Sequence, residues 1–229
     1  MLTEFEIQAI SLSLKVAFTA ISFSLPIAIL TAWLLARCQF HAKPLLDAVL
    51  HLPLVLPPVV IGYLLLVSFS PQGAIGLWLN NTFNIDISFS WQGAALASAI
   101  VSFPLMVRAI RLSFEAVDYK LEQAASTLGA SKFKVFYTIT LPLISPGILS
   151  GVILAFARSL GEFGATITFV SNIPEVTRTI PLAMYSFIQT PGAEDQALRL
   201  CIIAVIIALS ALIASYILEL KMRRKLSRN

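Results

Sequence analysis

Residues 201–207 have the sequence Cys-Ile-Ile-Ala-Val-Ile-Ile, an unbroken apolar run inside an uncharged segment from Leu200 to Leu218. Polar and apolar residues do not alternate in this run, so it does not have the pattern of a half-buried strand. A helix needs about 20 apolar residues to cross a hydrocarbon core of about 30 Å, and this segment has that length. It therefore predicts a membrane-spanning helix.

The composition of the whole chain extends this prediction. Hydrophobic residues make up 58% of the 229 residues and charged residues only 12%, and the mean hydropathy is +0.86. A soluble domain carries roughly 25% charged residues, so the outer surface of this chain must face lipid. We predict an all-α polytopic bundle that forms one transmembrane domain, 1–229. Its five predicted spans are 9–36, 45–69, 91–107, 143–170 and 200–218.

The basic residues predict how the bundle lies in the membrane. Most of them follow spans one, three and five, which share one side in a five-span chain. They are Arg37, Lys43, Arg108, Arg111, Lys120, Lys132, Lys134, Lys221, Arg223, Arg224, Lys225 and Arg228. Basic loops remain cytoplasmic, so we expect the N-terminus outside and the C-terminus inside. The net charge of +4 is thus a topology signal rather than a nucleic-acid surface. The first span follows Glu4 and Glu6 and is too long for a signal peptide, so we expect it to be retained.

The segment 109–142, between spans three and four, is the longest on the basic side. Asp118 can cap a helix start and Gly129 can end the helix in the left-handed conformation. The helix between them has an apolar face and is too short to be stable alone. This face consists of Leu121, Ala124, Ala125 and Leu128. It either docks on another subunit or lies on its own bundle. Ser131 opens a second short helix, which we expect Leu141-Pro142 to break.

A longer pattern runs through the same segment. Glu122-Gln123-Ala124-Ala125, then Gly129, then Ile139-Thr140-Leu141-Pro142 resembles the EAA loop of the permeases of ATP-binding-cassette (ABC) importers. The usual first Glu of that pattern aligns with Gln123, whereas Glu122 lies one residue earlier. Either side chain is a candidate for the polar contact of the motif.

Other segments extend the resemblance over nearly the whole chain. They are similar to the permease subunits of molybdate importers, and sulfate and tungstate permeases share part of them. The segments are 51–60, 102–108, 157–166, 177–185 and 188–192.

The resemblance implies a type I importer permease in the bacterial plasma membrane. Two copies of the chain would form the pathway for molybdate, with tungstate or sulfate as alternative ions. A periplasmic or lipid-anchored binding protein would deliver the ion. The residues that would couple the permease to its ATPases are Leu121, Glu122, Gln123, Ala124, Ala125, Leu128, Gly129, Ile139, Leu141 and Pro142.

The chain lacks the G-x-x-x-x-G-K-[ST] phosphate loop. We therefore expect it not to be an enzyme and to bind no metal or cofactor, with ATP and magnesium on two separate ATPase subunits. An intramembrane hydrolase would need paired catalytic groups within the spans, and Glu162 is the only deep acid. A passive channel would leave the short helix after Asp118 without a partner.

Charged and helix-breaking residues inside the spans are candidates for the pathway or its gate. They are Pro57, Pro58, Arg158, Ser159, Gly161, Glu162, Gly164 and Thr166. An ionisable group at this depth costs about 2.5–3.5 kcal/mol on insertion scales, so it must be paired or face water. Arg158 and Glu162 therefore either line the pathway or pair with each other. The prolines of span two predict either a kinked helix that faces the pore or a simple packing kink.

The predicted topology can be checked by labelling single cysteines from either side of the membrane. We expect residues 118–142 and the residues after Lys221 to react from the cytoplasm, and residues 171–195 to react from outside, because basic segments are retained inside. Labelling of 118–142 from outside would contradict this topology.

Overall fold

The chain folds into helices joined by short connections, and the structure, a computed structural model, describes residues 2–226. The side chains described are those of residues 2–214, 216–218, 220 and 221. Arg228 lies outside the described residues, as do the side chains of Arg223, Arg224 and Lys225. The predicted all-α class is confirmed, and residues 2–226 contain no strand. In chain order the elements are α1 (Glu4–Arg37), α2 (Lys43–Val55), α3 (Pro58–Phe69), α4 (Ala74–Phe83), α5 (Trp91–Ala116), α6 (Tyr119–Thr127), α7 (Lys132–Val135), a π-helical turn (Phe136–Thr140), α8 (Leu141–Leu160), α9 (Gly164–Val170), α10 (Ile180–Ile188) and α11 (Glu194–Leu226).

Four stretches of the described residues are long and apolar enough to cross a membrane. They are α1, α5, Lys132–Leu160 and Glu194–Leu218. The pair formed by α2 and α3 is a fifth crossing if its two bent halves count as one span. The predicted multi-span bundle is thus confirmed, with α5 continuing beyond the predicted end of the third span to Ala116.

The second predicted span is broken sharply rather than kinked. Helices α2 and α3 meet at 111° across Leu56 and Pro57. A residue that precedes proline is pushed out of the helical region. Two successive prolines apply this constraint to Leu56, with ψ 141°, and to Pro57, with ψ 134°. Pro58 then fits the first turn of α3, where its missing N–H would have had no helical partner. Pro53, followed by Leu54, stays inside α2.

The broken pair still runs along α5 from one end of that helix to the other. At one end, the guanidinium of Arg111 in α5 lies 2.9 Å from the carboxylate of Asp47 in α2. At the other end, the hydroxyl of Ser88, just before α5, donates to the carbonyl of Phe69 at 2.8 Å. Because Phe69 is the last residue of α3, the pair behaves as one broken span antiparallel to α5.

The entry into the fourth span differs from the prediction. The expected break at Leu141-Pro142 is wrong, because the helix continues from Lys132 to Leu160. The π-helical turn lets the N–H of Leu141 bond to the carbonyl of Phe136. Pro142 then lies in the first turn of α8, where proline is tolerated. The fourth span is interrupted further along, at residues 161–163 between α8 and α9.

The core lies between α1, α5 and α8, and small residues let these helices approach closely. On α1 the buried side chains recur every three or four residues, which is the spacing of one helix face. They are Glu6, Ala9, Ser13, Val16, Ala17, Ala20, Ile21, Ser24, Ala28, Ala32 and Leu35. On α8, a Cβ added at Gly147 would overlap the side chain of Ser113 in α5. Phe114 and Ile144 fill the space where α5 ends and α8 begins.

Candidate functional site

Helix α6 has the caps that the sequence predicts. A carboxylate oxygen of Asp118 accepts a hydrogen bond from the N–H of Lys120 at 2.9 Å. At the other end Gly129 has a φ of 84°, and the N–H of Ala130 bonds to the carbonyl of Ala125 at 3.1 Å. A Cβ at Gly129 would meet nothing within 4 Å, so the positive φ alone favours glycine there.

The outer side of α6 and α7 is an exposed apolar surface, called the docking face below. Leu128 is 89% exposed and Phe133 79%, and Leu121 is about half exposed. Ala124 and Gln123 are exposed and Ala125 is half-buried. Tyr119 and Tyr137 are also more than half exposed. Large apolar side chains left this open on a segment between spans form a candidate interaction surface.

Three of the residues predicted to couple the permease to its ATPases lie outside the docking face. Ile139, Leu141 and Pro142 are half-buried in the π-helical turn and the first turn of α8. Leu141 packs against the core that contains Phe114. These residues connect the segment to the membrane helices and do not belong to the docking face.

The structure identifies which side chain makes the inward polar contact of the EAA-like segment. The Oε1 atom of Glu122 lies 3.1 Å from Nη2 of Arg37 and accepts a hydrogen bond of 2.9 Å from the hydroxyl of Thr140. Gln123 faces outward. Sequence reasoning missed Arg37 and Thr140 as partners, since Arg37 is 85 residues away from Glu122.

The charged pair of the fourth span closes the break between α8 and α9. Glu162 is buried, and its Oε1 atom accepts a hydrogen bond of 2.7 Å from the N–H of Ala165 in the first turn of α9. Its Oε2 atom lies 2.8 Å from Nη1 of Arg158. The two side chains therefore form an ion pair beside the break. The hydroxyl of Thr166 donates to the carbonyl of Phe163, within the same turn.

The two breaks meet in space, which the sequence does not predict. A Cβ at Gly62 in α3 would lie 2.6 Å from the carbonyl oxygen of Ala165 in α9. A Cβ at Gly164 would lie 2.9 Å from Cβ of Pro58. The candidate residues near Pro57 and those near Glu162 thus belong to one junction, called the break junction below. Ser159 and Gly161 lie at its α8 side, Ser159 buried and Gly161 exposed.

A cavity of about 510 Å³ lies between α2 and α5, on the side of α5 nearer α6. Its charged lining is mixed, because Arg111 lies between the carboxylates of Asp47 and Glu115, at 2.9 and 2.8 Å. The Nδ1–H group of His51 donates to the carbonyl of Asp47 at 2.8 Å. Within the described residues no three His, Cys, Asp or Glu side chains are grouped to hold a metal.

A helical bundle with two broken spans and an exposed apolar segment between spans has the architecture of a membrane permease. Comparison with known protein families leads to the same class. The family described as binding-protein-dependent transport system inner membrane component matches residues 24–224. The chain belongs to this family of importer permeases.

The relatives and a solved structure support this assignment. The "Molybdenum transport system permease protein ModB" of Haemophilus influenzae is 63% identical over 221 residues, 96% of this chain and 96% of that protein. The "Sulfate transport system permease protein CysT" of Escherichia coli K12 is 37% identical, over 95% of this chain and 77% of that protein. A crystal structure of a bacterial ABC transporter involved in the import of alginate aligns with a TM-score of 0.76 at 18% identity, over 96% of this chain and 80% of that chain. This alignment shows the same fold, so the predicted type I importer permease fold is confirmed.

Removal of the Arg158 guanidinium should destabilise the chain, because it leaves the Glu162 carboxylate buried without a counter-charge. We expect Arg158→Ala to cost roughly 3 kcal/mol, the low end for breaking a buried pair, and Arg158→Ala with Glu162→Gln to recover much of this loss. The measurement is the unfolding temperature of the purified chain in detergent. Arg108→Ala, at an exposed arginine of α5, is the matched control. Equal unfolding temperatures for Arg158→Ala and Arg108→Ala would contradict the pairing role.

Proposed function

We propose that this chain is the permease subunit through which an ABC importer carries molybdate across the bacterial plasma membrane. The observation that carries the proposal is its 63% identity, over nearly the full length, with a permease named for molybdenum. Identity with the permease named for sulfate is 37%, and the alginate transporter shares the fold at 18%. A shared fold alone therefore does not explain an identity of 63%. Tungstate and sulfate are the alternative ions.

The charge of the ion explains why an ATP-driven device is needed. One elementary charge moved across 100 mV is worth about 2.3 kcal/mol. A dianion that enters a negative interior thus faces about 4.6 kcal/mol per 100 mV, before any concentration gradient. Through a passive pore the ion would therefore flow out of the cell rather than in. Alternating access coupled to ATP hydrolysis on separate subunits supplies the missing free energy.

The surfaces of the chain support a proposal for its partners. The docking face is apolar and uncovered, and it suits a groove on an ATPase subunit. Each copy of the chain carries one such face, so two ATPases need two copies, most simply in a symmetric homodimer. The ATPases would hold ATP and magnesium, and this chain would have neither a cofactor nor catalysis of its own. A periplasmic or lipid-anchored binding protein would deliver the ion, in keeping with the description of the family.

The proposed orientation is supported by contacts between the connections. Arg37 at the end of α1 is paired with Glu122 of α6, so these basic segments share one face. Glu6 and Arg199, at the starts of α1 and α11, lie 2.9 Å apart at the opposite end of α1. We place the Arg37 face in the cytoplasm, by the distribution of basic residues. The single domain 1–229 and the external N-terminus are part of the same proposal.

The break junction is the proposed gate of the pathway. Non-helical backbone at membrane depth is tolerated where protein covers it or where it lines a cavity. The candidate residues at this junction are Pro57, Pro58, Arg158, Ser159, Gly161, Glu162, Gly164 and Thr166. Because Glu162 neutralises Arg158, we assign this pair to the stability of the gate rather than to capture of the anion.

The docking face can be tested with Ala124→Glu. Ala124 is exposed in the chain, so the variant should fold and insert, but a charge would enter the contact with the ATPase. We expect loss of ATPase binding or loss of coupled uptake, measured by co-purification and by molybdate uptake into vesicles. Gly129→Val should act similarly, because a β-branched residue at positive φ is strained by roughly 1–2 kcal/mol.

The control for these variants is Lys134→Ala, at an exposed position of α7, which should change uptake little. If Ala124→Glu binds its ATPase and transports at the parental rate, α6 is not the docking element.

The choice of ion can be tested by deleting the gene. We expect molybdoenzyme activity to fall and to return when external molybdate is raised, because other anion carriers then admit enough of the ion. Growth without added sulfur compounds should be unaffected. Sulfate auxotrophy together with normal molybdoenzyme activity would assign the permease to sulfate instead.

A further inference from the structure

Helix α6 is held to the rest of the chain by little packing. None of its nine residues is buried, and a helix of that length is marginal by itself. On its C-terminal side the chain turns through Gly129, with its φ of 84°. A subunit that pushed on α6 would tilt the helix unless a specific contact held it to the membrane helices.

Glu122 supplies such a contact on the inward side of α6. Its side chain is 16% exposed and that of Arg37 is 19% exposed, so water is largely excluded from the pair. The same Oε1 atom contacts Nη2 of Arg37 and the hydroxyl of Thr140. A single carboxylate oxygen therefore connects α6 both to the last residue of α1 and to the π-helical turn before α8.

Arg37 also holds the connection between α5 and α6. Its Nη2 atom donates to the carbonyl of Val117 at 3.4 Å. Its guanidinium carbon lies 5.4 Å from the centre of the Tyr119 ring, within the range of a cation–π contact. An arginine–carboxylate contact of this partly buried kind is stronger than an exposed surface pair. The start of α6 is thus fixed to the end of α1.

Thr140 differs from the threonine two residues before it. The hydroxyl of Thr138 donates to the carbonyl of Lys134 at 2.6 Å, the usual back-bond of a helical threonine. Thr140 is buried, and its hydroxyl donates to Glu122 instead. It is the last residue of the π-helical turn, and such turns are rare and occur mostly at functional sites.

We infer that Arg37, Glu122 and Thr140 form a clasp that makes α6 a rigid extension of both α1 and α8. Displacement of α6 by a docked ATPase then reaches α1 as well as the helix that leads to the break junction. The inference rests on the proposed function, in which an ATPase docks on α6. It makes Glu122 a positioning residue that faces inward, whereas Gln123 faces the partner.

The first experiment measures whether the clasp holds α6 in the chain alone. A spin label is attached to a cysteine introduced at the exposed Ser126 by Ser126→Cys. The natural cysteines are replaced by Cys38→Ser and Cys201→Ser, so that only this position is labelled. The chain is then measured in lipid vesicles without ATPase. We expect Glu122→Ala and Thr140→Val to shift the label spectrum from its immobile to its mobile component. Thr140→Ser keeps the hydroxyl and should leave the spectrum unchanged.

The matched control is Glu115→Gln, which breaks an exposed ion pair with Arg111 inside α5 and should leave the label immobile. An unchanged spectrum in Glu122→Ala would overturn the clasp. This measurement needs neither ATPase nor oxyanion, so its result stands even if the transported ion is not molybdate.

The second experiment measures transmission in the complete complex, as molybdate taken up per ATP hydrolysed. We expect Glu122→Ala and Thr140→Val to retain the ATPase and lower this ratio about fivefold, the lower end for coupling between sites. Thr140→Ser should match the parental complex. Thr140→Val added to Glu122→Ala should lower the ratio no further, since Glu122→Ala already removes the acceptor of the Thr140 hydroxyl.

Release of the ATPase by Glu122→Ala would overturn the inference, because Glu122 would then belong to the docking face. A parental ratio in that variant would overturn it too. If the parental complex itself hydrolyses ATP without taking up molybdate, the proposed substrate fails, and the spin-label result still decides whether the clasp exists.

Discussion

The constraint behind this structure is that hydrocarbon offers no hydrogen-bond partner to a free backbone group. A helix that stops inside the membrane must have its open end covered by protein. This chain stops two helices there, after Val55 and after Leu160. The N–H of Ala165 at the start of α9 is met by the carboxylate of Glu162, and the charge this introduces is met by Arg158. The main role of this ion pair is therefore to stabilise the interruption between α8 and α9.

Mutual covering of the two breaks has a mechanical consequence. Helices α3 and α9 are in backbone contact where Gly62 faces Ala165, and no room exists there for a larger side chain. Packed interfaces of this kind shift between discrete arrangements rather than deforming smoothly. The two half-helices therefore form one unit, against a scaffold in which α1, α5 and α8 are joined by small residues. The proposed gate, built from such a unit, would open by moving as a body.

In the proposed complex, helix α6 divides its two sides between two tasks. Its outer side leaves Leu121 and Leu128 open to a partner, which costs free energy in the free chain and stabilises a complex. Its inner side carries Glu122, whose carboxylate joins three elements of the same chain. Apolar contact suits seating in a groove, whereas a charge-assisted contact has a direction and resists tilting. The outer side of α6 would thus provide affinity for the ATPase, and the inner side would keep α6 from tilting against its own chain.

The sequence by itself determined what depends on neighbours along the chain. The uncharged run from Leu200 to Leu218 specified a membrane helix, and Asp118 and Gly129 specified the limits of α6 to within a residue. The family pattern across the same segment specified the class of protein. These features depend on hydropathy, capping and left-handed backbone preferences, which act over a few residues.

Only the tertiary structure decided the rest. It placed Arg37 against Glu122 across 85 residues and left Gln123 outside, although the family pattern favoured neither. It turned a proline-rich span into a bend of 111° and carried the helix through Pro142 by a π-helical turn. It also brought Pro58 onto Gly164. The physical reason is that an ion pair, a bend angle or a close backbone crossing depends on which helices pack together, and no rule of local spacing contains that information.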